Sequence, residues 1–226
     1  MDWKKHHRIL IITGHFGSGK TELSINLALH LRGLGESVRV VDLDIINTYF
    51  RLRDKEELLE GQGIDTIYTA IKAKSLDIPA LDPAIEGAFL SGDRIIVDVG
   101  GNPSGARALG RFYPVLEETG YEQIFVINAN RPETQSVEDV VEFMTMTQAT
   151  SQTQITSLFN TTHMLKATTA EDVLMGIRKA QEVSDATGLP LLGTVCLSHL
   201  VEEVQAAYPE LYILPIDLYF RDPWML

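Results

Sequence analysis

The fold follows from one stretch of the chain, Gly14-His15-Phe16-Gly17-Ser18-Gly19-Lys20-Thr21. This stretch matches the pattern G-x-x-x-x-G-K-[ST]. It follows a β-rich run, Arg8–Thr13, and it precedes a segment with apolar residues at helical spacing, Thr21–Leu34. A strand, this loop and a helix in that order are typical of a phosphate-binding loop. The alternative is a glycine-rich turn that binds nothing, which would have to match every one of these features by coincidence.

The residue types of the loop suit phosphate chemistry. Glycines allow consecutive backbone N–H groups to curl around phosphate oxygens, and the helix N-terminus adds positive potential. Lys20 is expected to reach the β and γ phosphates, and Thr21 to offer its hydroxyl to Mg²⁺. We therefore predict that all eight loop residues contact the nucleotide and that Lys20 also takes part in catalysis.

Length and composition favour one globular domain over residues 1–226. Hydrophobic residues make up 45% of the 226 residues, which is typical of a chain with a packed core. The single cysteine, Cys196, cannot form an intrachain disulfide or a Cys-x-x-Cys metal site, and this fits a reducing cytoplasm.

Charge and hydropathy disfavour two classes of function. The net charge of −12 disfavours nonspecific nucleic-acid binding, which depends on neutralising phosphates. The basic start, Met1–Arg8, is followed only by the short apolar run Ile9–Ile12, too short for a signal peptide or a membrane span. The chain also has no basic amphipathic helix at its C-terminal end, so we expect no membrane anchor.

Apolar runs alternate with segments of helical spacing along the chain. This pattern predicts an α/β fold of three layers, a mostly parallel sheet with helices on both faces. Ligands of such sheets bind beyond the carboxyl ends of the strands. The predicted strands are Arg8–Thr13, Val38–Leu43, Ile64–Tyr68, Arg94–Val99, Gln123–Asn128, Ile155–Asn160 and Leu191–Leu197, and further helices are predicted near 104–118, 132–147 and 169–187.

Two carboxylates end the second predicted strand, Asp42 and Asp44. Residues two apart on a strand point the same way, so both side chains are expected on one side of the strand. Beside the phosphate loop they would hold Mg²⁺ or orient an attacking water. Taken alone, an Asp-x-Asp at a strand end is more often a loop cap.

The loop resembles that of the MinD/ParA family of ATPases when it is taken with Asn26-Leu27-Ala28, Gly35 and Val38–Asp44. More broadly it is similar to the CobQ/CobB/MinD/ParA nucleotide-binding domain, most strongly over residues 8–50. The resemblance implies an ATPase in which the second carboxylate, Asp44, positions the hydrolytic water. With that role on Asp44, Asp42 is the carboxylate of the pair that we expect to hold Mg²⁺.

One residue departs from that family, His15. The family has a lysine there, which reaches across a dimer to the partner's nucleotide. Histidine is neutral at pH 7 in its ordinary state and supplies no fixed charge. The departure puts hydrolysis across a dimer in doubt and leaves a homodimer open, and a solvent-facing role for His15 is an equal alternative.

A second motif, Arg94–Gly101, is an apolar strand that ends in an acid and two glycines. It fits a Walker B strand in which Asp98 supports the Mg²⁺ shell. The D-x-x-G spacing from Asp98 to Gly101 is that of a switch segment, whose glycine N–H senses the γ-phosphate. The alternative makes Asp98 a turn or helix cap.

The base is predicted from strand ends. The chain has no Asn-Lys-x-Asp tetrapeptide, which GTPases of this broad class use to recognise guanine. In the resembling ATPases an asparagine after a late strand contacts adenine, and Asn160 matches that place. We therefore expect ATP with Mg²⁺, in preference to GTP, although Asn160 can also be a turn residue.

These motifs favour a slow ATPase switch that serves an unidentified partner enzyme or assembly. Two alternatives stay open: an ATP-dependent small-molecule ligase or kinase of the dethiobiotin synthetase kind, and a nucleotide-binding regulator that does not hydrolyse. Segment 72–83 would be a lid, an effector surface or a plain loop. The aromatic end, Ile213–Leu226, is interpreted as an edge packed on the core.

Overall fold

Eight parallel strands form one sheet in the part of the chain that the computed structural model describes, residues 1–44, 52–68, 83–134 and 136–220, without the side chain of Ser104. The strands are β1 (Ile9–Gly14), β2 (Val38–Asp42), β3 (Asp65–Tyr68), β4 (Arg94–Asp98), β5 (Glu122–Ile127), β6 (Ser157–Asn160), β7 (Leu191–Leu197) and β8 (Tyr212–Ile216). Their order across the sheet is β3-β2-β4-β1-β5-β6-β7-β8, and every pairing between neighbours is parallel.

Helices cover both faces of this sheet. They are α1 (Lys20–Gly33), α2 (Glu56–Gly61), α3 (Pro83–Leu90), α4 (Pro103–Gly110), α5 (Tyr113–Thr119), α6 (Val137–Ser151), α7 (Ala170–Thr187) and α8 (Val201–Ala207). Successive residues of β1 point to opposite faces. Leu10 and Ile12 pack with α1, whereas Ile9 and Ile11 pack with apolar residues of α3 and α5. The predicted three-layer α/β fold with helices on both faces is confirmed.

Several elements differ from the sequence-based expectation. The helix expected near 104–118 is two helices, because Pro114 lies in the first turn of α5, where its missing N–H costs no hydrogen bond. The helix expected from Pro132 begins only at Val137, after a short 3₁₀ turn, and Ser136 caps it by accepting a hydrogen bond from the backbone N–H of Asp139.

The C-terminal segment contains a strand that the sequence did not predict. Residues Tyr212–Ile216 add β8 to the edge of the sheet, in register with β7 from Gly193 to Leu197. Pro215 is tolerated there because an edge strand needs hydrogen bonds on one side only.

Two segments named in the sequence analysis are described only in part. Residues 72–82 and 221–226 lie outside the described residues, and Pro83 begins α3. Within the described part, no helix is both long and apolar enough to cross a membrane.

The strand order brings the site together. β1 lies between β4 and β5, and β2 is the next strand beyond β4. All strands are parallel, so the residues that follow β1, β2, β4 and β5 emerge at the same edge of the sheet. This edge carries the phosphate loop, Asp44, the Gly100–Gly101 turn and the turn after Ile127.

Candidate functional site

The phosphate loop has the backbone conformation that its glycines permit. Gly17 and Gly19 have φ values of 71° and 94°, in the left-handed region that other residues rarely adopt. Gly19 also precedes the first residue of α1, Lys20. The loop therefore turns tightly from β1 into the helix, and the helix N-terminus faces the space above the loop.

Lys20 is folded back across the loop. Its side chain is buried, and its Nζ donates a 2.8 Å hydrogen bond to the backbone carbonyl of His15. Burial lowers the pKa of Lys20 to about 8, against the opposing attraction of the Asp98 and Asp44 carboxylates. An anion bound in the loop would raise the pKa of Lys20 again, because a nearby negative charge stabilises the ammonium form.

Asp42 and Asp98 stand side by side on β2 and β4. They are direct partners in the strand register, and both are almost fully buried. The pKa of Asp98 is raised to about 7, mainly by burial and then by the neighbouring charge of Asp42, while a hydrogen bond from the Thr21 hydroxyl opposes the shift. Asp98 Oδ1 has no hydrogen-bond partner within the described part of the chain. A buried carboxylate oxygen in that state is suited to a cation.

This oxygen-rich group fits Mg²⁺. No three His, Cys, Asp or Glu side chains gather as a metal group in the described residues. Mg²⁺ does not need such a group, because proteins usually hold it through one or two carboxylates together with substrate phosphates and water. Asp42, Asp98 and the Thr21 hydroxyl supply oxygen donors of that kind beside the phosphate loop.

The turn after β4 touches both Asp44 and the phosphate loop. A Cβ atom built on Gly100 would lie 2.9 Å from Asp44 Oδ1, and one built on Gly101 would lie 2.6 Å from both Lys20 Nζ and Phe16 N. The backbone N–H of Asp44 donates a 2.8 Å hydrogen bond to Asp42 Oδ1. The segment predicted as a switch is thus in contact with the loop predicted to hold phosphate.

A cavity of about 520 Å³ opens over these residues. Six residues predicted for the site line it: Phe16, Gly17, Gly19, Lys20, Thr21 and Asp44. Eight others also line it and were not predicted: Glu22, Asn128, Asn130, Arg131, His163, Met164, Leu165 and Phe220. Most of the second set follow the ends of β5, β6 and β8, and their position after a strand is the one signal in the sequence that could have revealed them.

Two predicted residues point elsewhere. The ring of His15 packs on Phe143 of α6, with 4.8 Å between ring centroids, and its Nδ1 lies 3.9 Å from Glu133 Oε2. The side chain of Asn160 is fully buried, and it donates a 2.8 Å hydrogen bond to Thr194 Oγ1 and accepts one from the Thr162 hydroxyl. The structure does not bring either side chain into the cavity.

Three further predicted residues lie around the loop. Gly14 and Ser18 are buried beneath it, and a Cβ on Gly14 would lie 2.6 Å from Val126 Cγ2, so β5 holds the loop from below. Gly101 is buried beside it. These residues shape the loop, whereas the six that line the cavity face the space where a nucleotide would bind.

Comparison with known proteins supports the fold. No protein-family model and no curated protein sequence matches the chain. Solved structures do: FtsY from Mycoplasma mycoides has a TM-score of 0.57 at 18% identity, covering 84% of this chain and 60% of that one. The signal recognition particle receptor FtsY from Elizabethkingia anophelis, solved with GDP, has a TM-score of 0.56 at 20% identity, covering 86% and 58%. The chain has the P-loop NTPase fold.

A third similar structure also contains GDP. The signal recognition particle 54 kDa protein from Aeropyrum pernix, in complex with GDP, has a TM-score of 0.56 at 22% identity, covering 85% of this chain and 42% of that one. The chain thus spans about two fifths to three fifths of the length of these proteins. At such identities the likeness shows the fold alone.

The expectation of ATP in preference to GTP is wrong. The nucleotide in two of these similar structures is GDP, a guanine nucleotide. The expectation rested on a missing tetrapeptide and on Asn160 as an adenine contact. The second ground is removed because the amide of Asn160 is turned away from the cavity and hydrogen-bonded to Thr194 and Thr162.

Proposed function

We propose that this protein binds a guanine nucleotide with Mg²⁺ in its phosphate loop and works as a nucleotide-dependent switch for a protein partner. The contact of Gly101 with both Lys20 and Phe16 supports this proposal most directly. A change at the phosphates would displace one of these loop groups and thereby move the turn after β4. A homodimer is one form that the partnership can take.

Positive potential at the phosphate loop supports the proposed position of the nucleotide phosphates. Lys20 and the N-terminus of α1 supply positive potential on one side of the cavity, although the chain as a whole has a net charge of −12. The local positive potential would attract the phosphates against that overall charge.

The single cysteine of the chain, Cys196, is a free thiol, which is consistent with a protein that acts in the reducing cytoplasm.

Thr21, Asp42 and Asp98 would hold the Mg²⁺ ion. When bound, the ion would neutralise charge on the phosphates and help to orient them. The Asp98 carboxylate accepts a hydrogen bond from the Thr21 hydroxyl, which keeps the Thr21 and Asp98 oxygens together at the base of the loop. Asp44 lines the cavity, and the resemblance to MinD/ParA proteins supports its role in positioning an attacking water.

Calorimetric titration tests the proposal. GDP and GTP, each with Mg²⁺, should bind at least tenfold more tightly than ADP and ATP, and chelation of Mg²⁺ should weaken GTP binding. Lys20→Ala should remove binding of both guanine nucleotides. Tighter binding of adenine nucleotides, or no binding of GTP by the wild type, would overturn the proposal.

Phosphate release from GTP then separates the forms of the proposal. A switch protein should hydrolyse GTP slowly in the absence of its protein partner. Limited proteolysis should then give different fragments with GDP and with a non-hydrolysable GTP analogue. Acceleration by a small metabolite without a protein partner would instead indicate a ligase or kinase. Tight binding with no phosphate release would indicate a regulator.

A further inference from the structure

The turn after β5 places an arginine on the phosphate loop. β1 and β5 are neighbours, and Gly14 pairs with Val126, so the residues after Ile127 emerge beside the loop. Arg131 Nε donates a 2.8 Å hydrogen bond to the backbone carbonyl of Gly17. The guanidinium group therefore reaches the loop itself and does not extend into open solvent.

The guanidinium lies face-on against Gly17. A Cβ atom on Gly17 would lie 3.0 Å from Arg131 Cζ, 3.1 Å from Nη2 and 3.2 Å from Nε. Three atoms of one planar group at nearly equal distances indicate that the plane faces the glycine. A side chain at residue 17 would displace the guanidinium group, so Arg131 can occupy this position because residue 17 is glycine.

The turn that carries Arg131 is held by its own hydrogen bonds. Asn128 is buried, and its Oδ1 accepts a 3.1 Å hydrogen bond from the N–H of Asn130. The Asn128 carbonyl accepts hydrogen bonds from the N–H of Arg131 at 3.1 Å and from the Thr134 hydroxyl at 2.6 Å. The backbone of residue 131 is thereby fixed relative to the end of β5, which reduces the entropy that a ligand contact would cost.

Arg131 keeps donors and charge available. Its Nε donates a hydrogen bond to the carbonyl of Gly17, whereas the two terminal nitrogens make no hydrogen bond or ion pair with any described residue. The side chain is exposed and lines the 520 Å³ cavity together with Lys20. A guanidinium stays charged at all physiological pH values and matches phosphate oxygens with two parallel N–H donors.

The other basic groups of the loop do not duplicate this charge. Lys20 is attracted by two carboxylates, that of the buried Asp98 and that of the partly buried Asp44. His15 is turned toward Phe143 on α6 and toward Glu133 in the 3₁₀ turn before that helix. Arg131 is thus the cation of the described cavity lining that faces no carboxylate.

We propose that Arg131 is a second phosphate ligand, whose guanidinium contacts the phosphate chain of the nucleotide from the Gly17 side of the loop while Lys20 contacts it from the other. The proposal rests on the proposed nucleotide-binding function and adds a residue to it. The competing reading is that Arg131 only braces the loop through the carbonyl of Gly17.

Three variants separate these readings. Arg131→Gln removes the charge at similar length, Arg131→Lys keeps the charge but loses the planar fork, and Arg178→Gln is the matched control. Arg178 lies on α7, is 52% exposed and pairs with Glu171 outside the cavity. GTP, tripolyphosphate and guanosine would each be measured by displacement of a fluorescent GDP analogue in the presence of Mg²⁺.

We expect Arg131→Gln to weaken GTP and tripolyphosphate about tenfold, the lower range for a charge-assisted hydrogen bond because the site is exposed. Guanosine should bind unchanged, Arg131→Lys should recover part of the loss, and Arg178→Gln should match the wild type. Unchanged tripolyphosphate binding by Arg131→Gln would overturn the proposal, and so would equal losses in the glutamine and lysine variants, which a brace alone predicts. If the wild type binds no GTP or tripolyphosphate, the proposed function itself fails.

Discussion

Replacing Gly101 with alanine tests the contact between the turn after β4 and the phosphate loop. The added Cβ would lie 2.6 Å from Lys20 Nζ and from Phe16 N, and 2.8 Å from Phe16 Cα. The lysine can swing aside, but the backbone of Phe16 cannot move without shifting the loop. The φ of Gly101 lies outside the left-handed region, so the cost comes from crowding and not from backbone strain.

Crowding of this kind typically costs about 1–3 kcal/mol of unfolding free energy. The displaced groups, Lys20 Nζ and the N–H of Phe16, are also those expected to meet phosphate. If half of a 3 kcal/mol cost arises only in the GDP-bound protein, GDP affinity should drop about tenfold. This follows because about 1.4 kcal/mol corresponds to a factor of ten. Urea unfolding followed by circular dichroism and calorimetric titration with GDP measure the two effects.

Gly87→Ala is the matched control. Gly87 lies on the exposed side of α3, and a Cβ there would meet no atom within 4 Å. Alanine in a helix is favoured over glycine by roughly 0.5–1 kcal/mol, so this variant should be slightly more stable than the wild type and bind GDP equally well. If Gly101→Ala also keeps wild-type stability and GDP affinity, the turn does not lie against the loop and the switch reasoning is refuted.

Three further predictions concern single side chains. Asp44→Ala should keep GDP affinity within about threefold while GTP turnover falls about 100-fold in a phosphate-release assay, and an unchanged rate would remove Asp44 from that role. Asp98→Asn should stabilise the Mg²⁺-free protein more at pH 8 than at pH 5 in urea unfolding. The raised pKa of about 7 means that the folded state holds the extra proton between about pH 4 and 7, so stability falls as pH rises through that window, and equal effects at both pH values would contradict the shift. Burial raises the pKa of the Cys196 thiol to about 11, so iodoacetamide at pH 8 should label it only after unfolding, and rapid labelling of the folded protein would show that it is not buried.

Local patterns in the sequence predicted the central strands and the phosphate loop. Residues such as Ile9–Ile12 are buried on both sides of the sheet and form a continuous apolar run, and the glycine loop has fixed spacing. Asp42 and Asp98 were found because each ends such a run. Their side-by-side register follows once β2 and β4 are neighbours.

The direction of side chains after a strand depends on tertiary contacts and could not be predicted. Asn160 turns into the core because Gly176 on α7 leaves room: a Cβ there would lie 2.6 Å from Asn160 Oδ1. His15 turns outward because Phe143, far away in the sequence, packs on its ring. Arg131 was not predicted, because its contact with Gly17 depends on the pairing of β1 with β5.

The strand β8 was missed for a similar reason. Its sequence contains Pro215 and mixes aromatic with aliphatic residues, which weakens any alternation. The position is decided by pairing with β7 and by α1, where the Asn26 side chain donates to the Asp217 carbonyl at 3.0 Å and accepts from its N–H at 2.9 Å. Glu22 accepts from the Tyr219 N–H on the same helix face.

A crystal structure of the protein with GDP and Mg²⁺ is the most direct test of the central claim. We expect the diphosphate to lie within the loop Gly14–Thr21, in contact with Lys20, and the guanine to lie in the cavity beside His163 and Leu165. A diphosphate bound outside the loop, or a loop that remains empty at saturating GDP, would contradict the claim.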